Sequence, residues 1–197
     1  MDAHVFSLSR RNLMSWRSSS DSDFERDPRR QQELRMRPAA DEIYASVFGL
    51  NVQVERTEYE DGAILDKHFA IDVRVTLPAS GMILLGQEKF LSPRYASFGT
   101  VTIEYWQNPE IQEQGDWFKL ASQVYFVGYA TPDWQGFDPW ILLNWPSVVL
   151  ATEAGAIPWQ ANHNKDGHAR ASFRFCKMRL FPPECLIASS LSRTELS

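Results

Sequence analysis

Residues 69–90 carry an acid, a carboxamide and an amine whose types and spacing could do chemistry together. Phe69, Ile71, Val73, Val75 and Leu77 alternate with other residues, so a strand there turns Asp72 and Arg74 away from the apolar row. Residues 78–81, Pro-Ala-Ser-Gly, read as a four-residue turn that pairs Leu77 with Met82. Counting back along both strands then sets Asp72 opposite Gln87, with Lys89 two residues on and on the same face. Directly opposed residues have Cβ atoms only about 5 Å apart, so the three groups converge within one or two pleats. A carboxylate and a carboxamide oxygen suit a hard divalent cation such as Mg²⁺, for which Mn²⁺ can substitute, with water and phosphate completing the shell. Lys89 would steady an attacking hydroxide or the charge of a pentavalent phosphate. The reaction this arrangement points to is phosphodiester hydrolysis, with Asp72 and Gln87 expected at the metal. A plainer reading makes Asp72 and Lys89 a cross-strand ion pair. Glu88 points to the opposite face beside Ile71, where it is a paired residue unless the register slips by one.

Several elements must position this hairpin. After Pro38, apolar residues at 40, 43, 44, 47 and 48 with Gly49 behind them predict a short amphipathic helix. Residues 52–59, 69–77 and 82–90 read as a three-stranded meander separated by turn-like 60–62 and 78–81. Residues 99–106 read as a further strand and 116–125 as a helix flowing into strand 126–129. Residues 132–139 form a loop with Trp134 and Phe137 exposed, 140–144 a buried strand, 147–152 a short helix and 171–180 a basic strand. The fold class is therefore α/β or α+β, a central mixed sheet flanked by helices. An Arg-rich polar arm over 1–37 holds eight Arg against six acids. It precedes one domain over 38–181, and 182–197 reads as a frayed tail.

Ala70-Ile71-Asp72-Val73, fourteen residues from Asp72 to the next ligand, and Gln87-Glu88-Lys89 resemble the D…(E/Q)xK signature of the PD-(D/E)XK nucleases, the restriction-endonuclease-like fold. The Gln form is similar to that of Mrr-like restriction enzymes. The resemblance covers roughly 38–130 and implies an αβββαβ core, with the first helix supplying a further acid, here Glu42, and helix 116–125 presenting Lys119 and Gln123 to phosphate. It implies Asp72, Gln87, Lys89 and Glu42 as the catalytic set, Mg²⁺ as cofactor, nucleic acid, DNA before RNA, as substrate, and a homodimer where both strands are cut. The inserted strand 99–106 and the Gln at an acid's position depart from that pattern. A non-catalytic binding or assembly protein on the same fold is the alternative.

His163, Lys165, His168, Arg170, Arg174, Lys177 and Arg179 against Asp166, interleaved with Phe173 and Phe175, are the candidate nucleic-acid surface, since cations grip phosphates and rings stack on bases. Without Cys or an acid cluster nearby, His163 and His168 do not make a zinc site. No GxSxG, GxxxxGK[ST], HExxH or GxGxxG occurs, so elbow-nucleophile, P-loop and zincin chemistry lack support.

Composition sets the outer limits. In 197 residues, 44% hydrophobic and 13% aromatic, enough apolar surface exists to offset the ordering entropy of one domain. The longest apolar runs, such as 82–85 and 148–151, are strand-length, which excludes a spanning helix. A net charge of −5 repels nucleic acid except through a local basic surface. Cys176 and Cys185 read as free thiols of a reducing cytoplasm. Arg10-Arg11 is followed by a Ser- and acid-rich stretch rather than an apolar segment, which argues against export.

Overall fold

The computed structural model describes residues 28–57, 62–163 and 171–192. The chain divides into two compact units, residues 1–35 and 36–197. Of the first, the described part is the opening of helix α1 (Pro28–Phe48), where Arg30 and Glu33 pair at 3.0 Å one turn apart. The helix does not start after Pro38 as expected; it runs through it. Pro38 forfeits one backbone bond, but Met36, Ala40 and Tyr44 repeat every four residues and are all fully buried, and that packing outweighs the break.

The larger unit is built on a six-stranded mixed sheet in the order β1-β2-β3-β6-β7-β10. Its strands are β1 (Gln53–Arg56), β2 (Val73–Thr76), β3 (Ile83–Leu91), β6 (Val124–Ala130), β7 (Phe137–Asn144) and β10 (Leu186–Ser189). All neighbours are antiparallel except β3 and β6, which run parallel. A second, four-stranded antiparallel sheet has the order β5-β4-β9-β8, from β4 (Thr100–Asn108), β5 (Glu113–Gln114), β8 (Gln160–His163) and β9 (Ser172–Lys177). Helices α2 (Gly62–Phe69), α3 (Asp116–Lys119) and α4 (Trp145–Glu153) complete the unit. The mixed sheet flanked by helices is the class the alternation and helix patterns predict.

Two cores result. One face of β2, β6 and β7, with Val73, Val75, Val124, Phe126 and Leu142, packs against Met36, Ala40 and Tyr44 of α1. Each large side chain so buried contributes about 1.5–3 kcal/mol. The other face, with Tyr125, Val127, Tyr129, Ile141 and Leu143, packs against Val101 and Ile103 of β4, Cys176 of β9 and Trp145 and Val148 of α4. Gly86 of β3 faces the first core, where a Cβ would stand 2.8 Å from Val73 and 2.9 Å from Val124, so only glycine lets β2 and β6 close on β3 there.

Several local expectations are corrected. Residues 62–69 form α2 instead of a turn and the start of a strand, because Ile64, Leu65, His68 and Phe69 keep helical spacing. The helix expected over 116–125 is one turn, because the backbone of Gln123 is taken by strand pairing: its N–H donates to the Leu85 carbonyl at 2.7 Å. Phe137, read as exposed, is buried, and Trp134 is half-buried at the edge of the same core. Within the supposed tail, residues 186–189 instead form β10, an edge strand on β7, and Cys185 just before it is buried; residues 193–197 lie outside the described residues. Both cysteines are free. No helix of the described residues is long and apolar enough to cross a membrane.

Candidate functional site

The β2–β3 hairpin has the register the turn implies: Thr76 opposes Ile83 and Val73 opposes Gly86, one step short of Asp72 and Gln87. Ladder bonds in an antiparallel pair recur at every second residue, so the next exchange after Val73 and Gly86 would join Ile71 to Glu88. The chain has turned away by then. Ala70 ends α2 at φ 48°, its N–H bonding to the Asp66 carbonyl at 2.9 Å, an αL cap of the kind usually made by glycine. The Ile71 carbonyl goes to the Thr57 hydroxyl at 2.7 Å instead. The vacated acceptor position is filled by a side chain: the Glu88 N–H donates to Asp72 Oδ2 at 3.1 Å. One oxygen of Asp72 is thereby held against the peptide that joins Gln87 to Glu88.

This carboxyl is expensive to ionise. Burial pushes it up to about 8; the Glu88 amide opposes the shift, while the neighbouring Asp66 and Glu88 carboxyls add to it. The carboxamide oxygen of Gln87 is also buried and has no hydrogen-bond partner. A buried carbonyl-type oxygen left without a donor costs roughly 1–3 kcal/mol.

Lys89 reaches from the same face toward the second sheet. The short strand β5 pairs with β4 only around Trp106 and Asn108, leaving the preceding carbonyls of β4 free. Side chains of the mixed sheet fill them. Tyr129 donates to the Thr100 carbonyl at 2.8 Å, and Tyr125 (3.1 Å) and the Lys89 ammonium (3.2 Å) both donate to the Thr102 carbonyl. Lys89 also stands over the Phe173 ring, 6.0 Å from its centre. Burial pulls its ammonium below the usual lysine range, against the opposing pull of Asp116, Glu104 and Asp72. It nevertheless forms no ion pair with Asp72. Burial is likewise the main cause that raises Glu104 and Asp116; Asp116 further raises Glu104, Asp66 further raises Asp116, and Lys89 lowers both. The junction of the two sheets thus gathers Asp72, Gln87, Lys89, Glu104, Asp116 and the Asp66 carboxyl. Of these, Glu104 and Asp116 are invisible to the linear pattern, because they come from the inserted β4 and the turn after β5.

Glu88 does face the other way, and it is paired. Its carboxylate takes two parallel bonds from Arg56 at 3.0 Å each, and Arg56 also reaches Asp41 of α1. The side chains of Arg56 and Glu88 are 10% and 6% exposed. The Tyr44 hydroxyl lies beside Glu88, and burial is the main cause that raises it.

The remaining expected residues are scattered. Glu42 is exposed on α1, which covers the opposite face of the sheet; its neighbour Asp41 is the acid that α1 commits to the sheet. Lys119 does lie near the acids, within electrostatic reach of Glu104 and Asp116. Gln123 does not present its side chain to a ligand, because its Oε1 accepts the Leu85 N–H at 2.7 Å and so replaces a missing ladder bond. Arg174 is stacked on Tyr105 (4.0 Å) and Trp117 (4.6 Å), and Lys177 donates to the Phe98 carbonyl, so these two cations have structural occupations. Arg179 is exposed on the turn after β9. Arg170, with Lys165 and His168, lies outside the described residues.

Among the described residues no three His, Cys, Asp or Glu side chains gather closely enough to hold a metal ion by themselves. The donors present still fit a hard cation. Mg²⁺ needs only one or two protein carboxylates beside water and phosphate, and the Gln87 oxygen is a buried acceptor lacking any donor. Compared with protein-family models, curated proteins and solved structures, the chain matches none of them.

Proposed function

We propose that the protein is a divalent-metal-dependent nuclease of the PD-(D/E)XK kind, hydrolysing phosphodiester bonds of nucleic acid, DNA before RNA. The observation that carries this reading is the state of Asp72, Gln87 and Lys89. One hairpin brings them together half-buried, yet Lys89 is bonded to a carbonyl rather than to Asp72, and the Gln87 oxygen has no partner. A decorative cross-strand pair would have closed Lys89 onto Asp72. The element order also supports it: a helix, a three-strand meander, a short helix and a strand parallel to the third, with α2, β4 and β5 as additions.

Asp72 and Gln87 would hold the cation, with Mg²⁺ as the natural ion and Mn²⁺ as a substitute. When bound, that cation supplies Lewis-acid charge and a hydroxide at neutral pH. The Glu88 N–H fixes Asp72 Oδ2, so the other oxygen is aimed by the backbone itself. Lys89, anchored at the Thr102 carbonyl, presents positive charge where phosphate charge would build up. Tyr125 shares the Thr102 carbonyl with the ammonium, and the Phe173 ring lies 6.0 Å from it.

The test is cleavage of single-stranded, duplex and branched DNA and of RNA across Mg²⁺ and Mn²⁺ titrations, with Asp72→Ala and Lys89→Ala beside the wild type. Metal-dependent cutting that both substitutions abolish is the expected result. No cutting of any substrate by a folded wild-type chain would overturn the reading in favour of a binding or assembly protein.

A further inference from the structure

Beside the junction of the two sheets, three aromatic rings lie in mutual contact on the rim. Tyr105 and Trp106 are 5.0 Å apart between centres, Tyr105 and Phe118 4.8 Å, and Trp106 and Phe118 4.9 Å with their planes only 31° apart. Their positions follow from the turn into α3. Gly115 rests directly on β4, where a Cβ would stand 2.7 Å from the Glu104 carbonyl oxygen, so no other residue lets α3 approach so closely. Its N–H bonds to the Tyr105 carbonyl at 3.0 Å.

The four residues of α3 then divide the tasks. Asp116 lies within electrostatic reach of Lys89 and Glu104. Trp117 anchors the turn inward, edge-on to Trp145 (5.9 Å) and Trp159 (5.4 Å). Arg174 stacks on both Trp117 and Tyr105, which stiffens the cluster from beneath. Phe118 is not used in that anchorage and stays 41% exposed, and Lys119 follows it. An apolar ring, a cation and an acid within electrostatic reach of Lys89 therefore occupy one turn of chain. A duplex hides its base faces within the stack, whereas every base of an unpaired strand offers a π-face to a ring and a phosphate to a lysine.

Resting on the nuclease reading, we propose that Trp106 and Phe118 form a stacking subsite for an unpaired base of the substrate strand, with Lys119 on the adjoining phosphate. The substrate is then single-stranded nucleic acid, or a junction or end that frays at this point.

The experiment measures binding of the full chain carrying Asp72→Asn, which removes cutting, to a fluorescein-labelled oligothymidylate of roughly 12 nucleotides and to a duplex of the same length, by anisotropy in Mg²⁺. Phe118→Ala is expected to weaken single-strand binding about tenfold and duplex binding much less, while Phe118→Trp retains it. Placing one abasic site in turn along the strand should find a position that reproduces the loss in the chain with Phe118 intact, and there Phe118→Ala should cost nothing more. Equal losses on strand and duplex, or a strand whose abasic positions all bind normally, would overturn the subsite. The abasic series needs no variant at 118, so it decides the matter even where Phe118→Ala folds poorly. Base-dependent binding without any metal-dependent cutting by the wild type would sink the nuclease reading alone and leave the subsite standing.

Discussion

Glu88 and Lys89 are adjacent on one strand and have opposite fates. Glu88 points toward α1 into a closed set of partners: two bonds from Arg56, which is itself held by Asp41. Lys89 points toward the second sheet, half-buried, and receives no carboxylate, only a carbonyl it shares with Tyr125 and the face of the Phe173 ring. Gln87, on the same face, has an oxygen with no partner at all. A strand exposes its two faces to independent environments, so the carboxylate on one face can be fully paired while the amine and carboxamide on the other are not, although the Tyr44 hydroxyl on the Glu88 side also lacks a hydrogen-bond partner. Buried polar groups are nearly always satisfied, so an exception such as the Gln87 oxygen calls for an explanation.

The comparison breaks hardest on the completed side. Arg56→Ala leaves Glu88 as a buried carboxylate without its guanidinium, and unfolding by urea should register a loss of about 3–5 kcal/mol. A loss under 1 kcal/mol would mean that the pair is only decorative.

On the incomplete side the sign reverses. Asp72 in the folded chain keeps its proton up to about pH 8, whereas an unfolded Asp ionises near 3.9. The folded state therefore holds the extra proton between those values, so wild-type stability falls as pH rises from about 4 to about 8 and is level beyond. Asp72→Asn keeps an acceptor for the Glu88 N–H and has no proton to lose. Its melting temperature should exceed that of the wild type by several degrees at pH 9 and by little at pH 4, with cutting abolished at both. An advantage independent of pH would show that Asp72 is not strained by ionisation.

A smaller effect sharpens the same contrast. Because a cation binds only the folded site, Mn²⁺ at about 100 times its dissociation constant should stabilise the wild type by about 2.7 kcal/mol and Asp72→Asn by far less, read as the shift in thermal melts. Gln87→Glu should tighten Mn²⁺ binding several-fold by adding a second carboxylate. Least of all, Glu42→Ala and Arg179→Ala, both exposed, should change stability by less than about 0.5 kcal/mol and leave cutting within twofold.

What could be read in the linear chain was local. The hairpin register over 73–76 and 83–86 followed from alternation and one turn, because period-two geometry allows only one other answer; the pairing ends there, and the Asp72 N–H bonds to the Gly86 carbonyl at 2.8 Å instead of Asp72 standing paired with Gln87. The departure of Ile71 from the ladder was not legible, since it depends on α2 ending at Ala70 and on Thr57 capturing the Ile71 carbonyl. Arg56 could not be assigned to Glu88 across 32 residues without knowing that β1 lies beside β2. Glu104 and Asp116 remained hidden for a related reason: they reach Lys89 only because a second sheet docks its open edge on Tyr125 and Tyr129. Arg174, scored as a phosphate contact on charge alone, is spent on two rings. Glu42 came only from the resemblance; its neighbour Asp41 is the acid that Arg56 engages, a contact between distant elements that the helix pattern does not show.

The most direct test is Lys89→Met, measured for cutting in Mg²⁺ on the best wild-type substrate and for thermal melting on the same samples. Methionine keeps the buried stem and removes the desolvated charge, and Tyr125 still satisfies the Thr102 carbonyl. The expected result is a chain that melts no lower than the wild type and cuts at least about a hundredfold more slowly. A variant that melts lower yet cuts at the wild-type rate would contradict it, making Lys89 a structural prop and the incomplete face of β3 no site at all.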